Sequence, residues 1–181
     1  AIWLDSGKPH SSQGCFDIIS ACPDVLIETY GACSTVTDSK GSHTTKEDPF
    51  TLAERLLEPM LAIDDDLAGQ PFVGGILGYF GYDLGRRLVD IPDHTLAVSD
   101  LPDMRIGRYL WSLVTDHVKQ RSQLFFHGLC PRSLQRDSIA RLNTASATAQ
   151  APSFKLRGPF KATLTKSQYR TAISRIKEYI V

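Results

Sequence analysis

A glycine-rich stretch from Phe72 to Leu88 constrains the fold of this chain more than any other feature. Five of the 13 glycines lie in the range 74–85, interleaved with aliphatic and aromatic residues. A short apolar run interrupted by glycine is typical of a buried strand in which another backbone comes close. Asp83 then suits a helix start, and Arg86 and Arg87 suit its last turn. The stretch predicts a tightly packed strand that leads into a short helix at a sheet edge.

Glycine-rich turns between a strand and a helix also occur in nucleotide-binding proteins. The dinucleotide fingerprint requires G-x-G-x-x-G, and the glycine spacing in this stretch never supplies it. The phosphate loop requires Gly-Lys followed by Ser or Thr, which occurs nowhere in the chain. The pattern therefore favours a structural strand over a nucleotide-binding site.

The composition narrows the possible functions. The 181 residues, 42% hydrophobic and 22% charged, suffice for one ordinary core. Lys and Arg (20) balance Asp and Glu (20), so the totals indicate no basic face for nucleic acid or an anionic membrane. No apolar run approaches the length of a transmembrane helix, and the apolar start lacks a basic leader. We expect a cytoplasmic protein with no nucleic-acid and no membrane partner.

The residues that bind metals or perform catalysis are scattered. The spacing of the four cysteines matches no zinc pattern and no Cys-x-x-Cys motif, and the five histidines form no His-x-x-x-His. Four free thiols are expected in a cytosolic domain of this size. Asp116-His117 is a candidate orienting pair of a catalytic triad, but no Gly-x-Ser-x-Gly motif accompanies it. The sequence predicts neither a metal site nor a catalytic residue in this chain.

Local signals divide the chain into hairpin strands and short helices. Asp48-Pro49 is typical of a helix start, and Thr165 to Gln168 has the spacing of a capping box. Trp3 and Trp111 are expected in the core. This order predicts an α+β fold, a mostly antiparallel sheet with helices packed on one side. The predicted strands cover 16–21, 25–30, 32–37, 42–46, 105–119 and 122–127, and the predicted helices cover 48–60 and 133–143, the latter with Leu134, Ile139 and Leu142 inward.

The glycine-rich stretch also resembles a known family. The run Phe72-x-Gly-Gly-x-x-Gly-Tyr-Phe-Gly-Tyr-Asp-Leu-Gly-Arg-Arg is similar to the signature of the N-terminal half of aminodeoxychorismate synthase component I. That family is closely related to anthranilate synthase component I. Four further segments agree in the family's order, so the resemblance covers the whole chain. They are Trp3 to Gly7, Phe16 to Ala21, Leu101 to Met104 continuing to Trp111 and Asp116-His117, and Thr165 to Tyr169.

The resemblance implies two domains, of which only the C-terminal one is catalytic. Residues 1–160 would form the N-terminal domain, with a linker at about 144–158, and 161–181 would hold the first helix leading into a C-terminal chorismate-binding domain. In the family that second domain carries the catalytic residues and the magnesium ion, and none of its motifs occurs here. The last helical pattern runs to Val181 without a cap, so we expect a truncated chain that is inactive alone. We also expect it to expose an apolar surface and to self-associate.

The resemblance also implies a reaction and a partner. With ammonia from a glutamine amidotransferase subunit, the intact enzyme would convert chorismate to 4-amino-4-deoxychorismate for folate and p-aminobenzoate synthesis. Two alternatives stay open. In the first alternative, the chain is the corresponding domain of anthranilate synthase component I, which serves tryptophan synthesis. In the second, it is a stand-alone regulatory domain that binds an amino acid.

A tryptophan pocket is the site that the resemblance implies. Its matching positions are Ser6, Gln13, Gly14, Cys15 and Phe16. The Ser6 hydroxyl suits an ammonium or a carboxylate, and Phe16 suits the wall of an indole slot. The family usually has Arg where this chain has Cys15, so a directional clamp for a carboxylate is missing. The alternative is that Ser6 and Phe16 are ordinary loop and core residues.

Overall fold

The computed structural model describes residues 1–7, 14–61, 65–67, 69–89, 100–144 and 155–180. The chain divides into two compact units, Ala1–Thr144 and Ala145–Val181. Most of the predicted linker at about 144–158 lies outside the described residues. The predicted domain boundary after residue 160 refers to the domains of the resembled family and stays a prediction.

Two antiparallel sheets form the first unit. One has four strands in the order β1-β2-β8-β9, and the other has five in the order β5-β4-β3-β7-β6. All pairings between these strands are antiparallel, which confirms the predicted α+β class. The strands are β1 (Ile2–Leu4), β2 (Phe16–Ser20), β3 (Val25–Tyr30), β4 (Cys33–Asp38), β5 (Gly41–Thr45), β6 (Gly75–Phe80), β7 (Met104–Tyr109), β8 (Trp111–Asp116) and β9 (Arg121–Phe126).

One continuous segment supplies an interior strand to each sheet. The sequence predicted a single strand over 105–119, and this was wrong, because the chain passes from β7 to β8 at Leu110. β7 lies between β3 and β6, whereas β8 lies between β2 and β9. Leu110 is 3% exposed. The crossing has no Gly or Pro and continues the apolar pattern, so no local signal marked it.

The predicted helix starts at Asp48 and Thr165 are confirmed. Helix α1 (Pro49–Leu57) begins after Asp48, whose Oδ2 accepts a hydrogen bond from the Thr51 N–H at 3.0 Å. Helix α3 (Lys166–Ile180) begins with a reciprocal capping box. There the Thr165 N–H donates to Gln168 Oε1 at 2.8 Å, and the Gln168 N–H donates to Thr165 Oγ1 at 3.3 Å. Both caps satisfy amides that a helix leaves without partners.

Helix α2 (Arg132–Thr144) packs on the four-stranded sheet with a different face from the predicted one. Leu134 and Leu142 contact the core as expected. Ile139 is 42% exposed, so its predicted inward position was wrong, and Ser138 is buried instead. The reason is geometric, because positions 134, 138 and 142 are each four residues apart and share one helix face.

The described residues form three apolar clusters, one on the five-stranded sheet and one on each face of the four-stranded sheet. Leu52 and Leu56 of α1 pack against Ile27 and Ile106 of the five-stranded sheet. The four-stranded sheet is buried on both faces, since its residues alternate between two clusters. Trp111 lies in the cluster that α2 covers, together with Leu110, Met60 and Cys130, and Val114 and Phe125 lie in the other cluster with Val73.

Two predictions of burial fail at sheet edges, one for Trp3 and one for strand β6. Trp3 is 63% exposed rather than in the core, because β1 is the outermost strand of its sheet. Strand β6 is likewise an edge strand, in which Gly75 is buried, Ile76 and Leu77 are half-buried and the last three residues are exposed. Tyr79 and Phe80 are exposed, and the Phe80 ring stacks on Phe50 with the ring centroids 6.0 Å apart. The short helix predicted after β6 is present as a 3₁₀ helix, Tyr82–Arg87.

Two further sequence expectations concern thiols and membranes. All four cysteines are free, and Cys130 is buried. Burial is the main reason why the pKa of the Cys130 thiol is raised. Within the described ranges, no helix combines the length and apolar character that crossing a bilayer requires.

Gly78 explains why the edge strand is rich in glycine. It pairs with Ile106 of β7 and has a φ angle of +154°, a conformation that L-residues rarely adopt. A Cβ atom at this position would lie 2.7 Å from the Ile106 Cα and closer still to the Arg105 carbonyl oxygen. Neither backbone atom can move without breaking the β6–β7 ladder. The close backbone approach predicted from the sequence therefore occurs at Gly78.

The substitution Gly78→Ala should destabilise the fold strongly. Backbone strain and overpacking together should lower the free energy of unfolding by at least about 2 kcal/mol. Gly85→Ala is the matched control, because a Cβ at Gly85 would meet nothing within 4 Å, and it should change stability by less than about 0.5 kcal/mol. Urea unfolding followed by circular dichroism measures both changes. Equal midpoints for the two variants would contradict the close approach.

Candidate functional site

Two strand registers bring three distant segments to one corner of the four-stranded sheet. In the β1–β2 pair, Leu4 lies opposite Ile18, so the chain that continues from β1 brings Ser6 beside Phe16. In the β2–β8 pair, Phe16 lies opposite Asp116. The ladder extends one step further, because the His117 N–H donates to the Cys15 carbonyl oxygen at 2.8 Å. This corner therefore holds most of the residues that the sequence singled out.

Ser6 is held by two hydrogen bonds to β2. Its backbone N–H donates to Asp17 Oδ1 at 2.9 Å, and its hydroxyl donates to the Phe16 carbonyl oxygen. The turn after it is closed by Asp5, whose Oδ1 accepts from the Gly7 N–H at 2.7 Å. Since the Ser6 hydroxyl proton is engaged, its oxygen lone pairs are what it can offer to a ligand. The side chain thus suits a donor such as an ammonium group better than a carboxylate.

Asp17 and His117 connect the Ser6 loop to the β8–β9 turn. Asp17 Oδ2 lies 3.0 Å from His117 Nε2, while Asp17 Oδ1 accepts from Ser6. The two side chains are only 20% and 17% exposed, so water screens their interaction weakly. Sequence reasoning did not assign this pair. The β2–β8 register brings them together, because Asp17 lies on β2 and His117 directly follows β8.

Asp116 does not orient His117, so the candidate triad pair is not assembled. Its Oδ1 accepts from the backbone N–H groups of Val118 and Lys119, both at 2.9 Å, and this closes the β8–β9 turn. The hydrogen bond from the Lys119 N–H is the largest cause of a lowered Asp116 pKa. Desolvation opposes it, and the Val118 N–H and the Lys119 ammonium group lower the pKa further. Asp116 is therefore a turn-forming residue.

Asp116→Asn should remove stability in a pH-dependent manner. A lowered pKa in the folded state means that the carboxylate stabilises the fold at pH values above its ordinary pKa of 3.8. This contribution is lost as the pH falls through the lower pKa of the folded state. Urea midpoints measured from pH 7 downward should separate wild type from Asp116→Asn at neutral pH and converge in acid. Asp100→Asn, at an exposed position, is the control and should follow wild type.

The structure places four of the five predicted pocket residues. Ser6 and Phe16 are in direct contact, and Cys15 bonds to His117 through its carbonyl group. Gly14 forms an isolated β-bridge next to them. Gln13 lies outside the described residues. The tryptophan pocket itself stays a prediction.

The described residues do not fit a magnesium site. Across the ranges that the structure covers, no three side chains of His, Cys, Asp or Glu come together. Magnesium prefers carboxylate oxygens and usually needs a substrate phosphate or several waters as well. We therefore assign no metal-dependent step to these residues.

Comparison with known proteins identifies the family. A family model described as chorismate binding enzyme matches residues 2–181. The chain belongs to this family. Aminodeoxychorismate synthase component 1 of Klebsiella aerogenes is 32% identical over 99% of the chain, and that of Escherichia coli strain K12 is 31% identical over the same share. Anthranilate synthase alpha subunit 2 of Arabidopsis thaliana is 28% identical over 98%.

The chain spans about two fifths of the length of its relatives. It covers 39% of the Klebsiella protein, 38% of the Escherichia protein and 33% of the Arabidopsis protein. Among solved structures, anthranilate synthase component I from Streptococcus pneumoniae TIGR4 matches with a TM-score of 0.71 and 17% identity. That match covers 95% of this chain and 40% of the other, and it supports the fold alone.

Proposed function

We propose that this chain is the N-terminal, non-catalytic domain of an aminodeoxychorismate synthase component I. The intact protein would add ammonia to chorismate and release 4-amino-4-deoxychorismate, a precursor of p-aminobenzoate and folate. A glutamine amidotransferase subunit would supply the ammonia. The residues that bind chorismate and magnesium would lie in the part of the relatives that this chain does not cover.

The observation that supports this proposal most strongly is the end-to-end similarity to aminodeoxychorismate synthase component 1. Identity of 31–32% extends over 99% of the chain in the two enterobacterial relatives, against 28% over 98% for the anthranilate synthase subunit of Arabidopsis. The same relatives are called component 1, which favours a second subunit as partner. Their remaining length, about three fifths, has room for the catalytic domain.

Exposed apolar side chains support a domain that works with a neighbour. Tyr82 is 99% exposed, Leu88 is 72% exposed and Val89 is 57% exposed, and all three lie in or directly after the 3₁₀ helix that follows β6. A monomer seldom exposes several large apolar side chains in one short segment. Burying each of them would contribute about 1.5–3 kcal/mol relative to leaving it in water. In the proposal the catalytic domain covers this surface.

The product formed from chorismate tests the proposal. The full-length gene product, incubated with chorismate, an ammonium salt and magnesium, should form 4-amino-4-deoxychorismate, identified by chromatography and mass. The 181-residue chain under the same conditions should consume no more chorismate than buffer does. Anthranilate as the product would favour the anthranilate synthase alternative. Failure of the full-length protein to consume chorismate would favour the stand-alone regulatory domain.

We further propose that the corner around Ser6 forms one wall of a tryptophan site in the intact protein. The observation that favours it is the arrangement of Ser6, whose oxygen lone pairs are available beside Phe16. The Ser6 oxygen would accept from the ligand ammonium group, and the Phe16 ring would contact the indole. Cys15 lacks the guanidinium that would hold the carboxylate, so binding would be weak.

Calorimetric titration of the full-length protein with L-tryptophan tests this site. Ser6→Ala should weaken binding by about tenfold, and Cys15→Arg should strengthen it by a similar factor, because a hydrogen bond to a charged group contributes about 1.5 kcal/mol or more. Ser39→Ala, in the exposed turn between β4 and β5, is the matched control. Tryptophan binding that is unchanged by both corner variants would place the ligand elsewhere.

A further inference from the structure

A cavity of about 250 Å³ lies between helix α2 and the four-stranded sheet. It is separate from the Ser6 corner, because Ile19 and Trp111, with Ala21 and Cys22 just after β2, lie at the other end of β2 and β8. An engineered cavity of roughly 150 Å³ lined by aliphatic and aromatic residues binds benzene. The present cavity therefore has room for one aromatic ring with a small substituent.

The walls of the cavity are mainly apolar. Trp111 is 5% exposed, and its indole Nε1–H donates to the Ala21 carbonyl oxygen at 2.9 Å, which fixes the orientation of the ring. Ile19 completes the sheet side, and Leu134 and Leu142 of α2 form the opposite wall. A flat apolar ligand can thus stack on a tryptophan that is already held in place, at little cost in side-chain entropy.

Polar groups are present at one side of this cavity. Ser138 is 4% exposed, and it lines the cavity. Arg141, one turn further along α2, also lines the cavity, and the ion pairs in the described part of the chain do not include it. Both side chains can donate to an anion.

We propose that this cavity binds a one-ring aromatic carboxylate, with the ring against Trp111 and the carboxylate bound by Arg141 and Ser138. Two donors, a guanidinium and a hydroxyl, match the two oxygens of a carboxylate. Asp137 lines the same side and would repel an anion, so it sets the affinity below the maximum that the donors allow. This site is independent of the chorismate reaction proposed above.

The intrinsic fluorescence of Trp111 reports binding directly. Trp3 is the second of the two tryptophans and is largely exposed, so Trp3→Phe leaves Trp111 as the single emitter. Titration of this variant of the 181-residue chain with benzoate should change the emission in a saturable manner. Benzamide, which has the same ring without the charge, should bind about tenfold more weakly. Equal affinity for the two compounds would overturn the assignment of a carboxylate.

Substitutions on α2 test the polar contacts, each in the Trp3→Phe background. Arg141→Gln should weaken benzoate binding about tenfold and Ser138→Ala about threefold. Asp137→Asn should strengthen it about twofold to threefold, because a like charge is removed, and a weakening would overturn the proposal. Arg136→Gln, on the same helix but outside the cavity, is the matched control and should leave the affinity unchanged.

Alkylation of Cys22 gives a second readout that needs no substitution. Cys22 is exposed and lines the cavity, whereas Cys33 lies on β4 and does not. Saturating benzoate should slow the reaction of Cys22 with iodoacetamide at least about threefold, measured by peptide mass spectrometry, while Cys33 reacts at an unchanged rate. Unchanged Cys22 alkylation together with unsaturable Trp111 emission would show that the cavity does not bind this class of ligand.

Discussion

The passage of one buried segment through both sheets is the constraint on which the first unit depends. Residues 104–116 run from β7, an interior strand of the five-stranded sheet, through Leu110 into β8, an interior strand of the other. Among the described residues, four of the seven strand pairings involve this segment. Its side chains also enter all three apolar clusters. Because both sheets share it, neither can form its complete core without the other.

The two ends of β8 have different surroundings, and this separates the two proposed binding sites. Near Asp116 the neighbouring segments carry hydrogen-bonding groups, which the β2–β8 register assembles into the Ser6, Asp17 and His117 corner. Near Trp111 the neighbours are apolar, and α2 closes over them to leave a cavity. A single strand thus positions a polar corner near Asp116 and a mainly apolar cavity near Trp111.

The features of this fold that depend on residues close together in the sequence were predictable. The Asp48 and Thr165 caps and the close approach at Gly78 follow from short patterns with a local physical cause. Positions that depend on the tertiary arrangement were not predictable. The exposure of Trp3 follows from the place of β1 at a sheet edge, and the crossing at Leu110 leaves no turn residue in the sequence.

The candidate site shows the same limit. Ser6 and Phe16 were recognised through family resemblance, and the structure brings them into contact. The link from Asp17 to His117 requires the β2–β8 register, which pairs residues about 100 positions apart and which a single sequence does not specify. Similarly, Ser138 rather than Ile139 faces the sheet and lines the cavity beside α2. The rotation of the helix about its axis decides this, and the hydrophobicity of the two residues would have predicted the opposite.

Reconstitution from two pieces tests the central claim that this chain is a supporting domain whose chemistry lies in a second domain. The 181-residue chain and the remainder of the full-length protein would be produced separately, mixed, and assayed for chorismate amination. The account predicts negligible activity for this chain alone and a clear gain when it is added to the remainder. Turnover of chorismate by the isolated chain, or a remainder as active alone as the full-length protein, would contradict it.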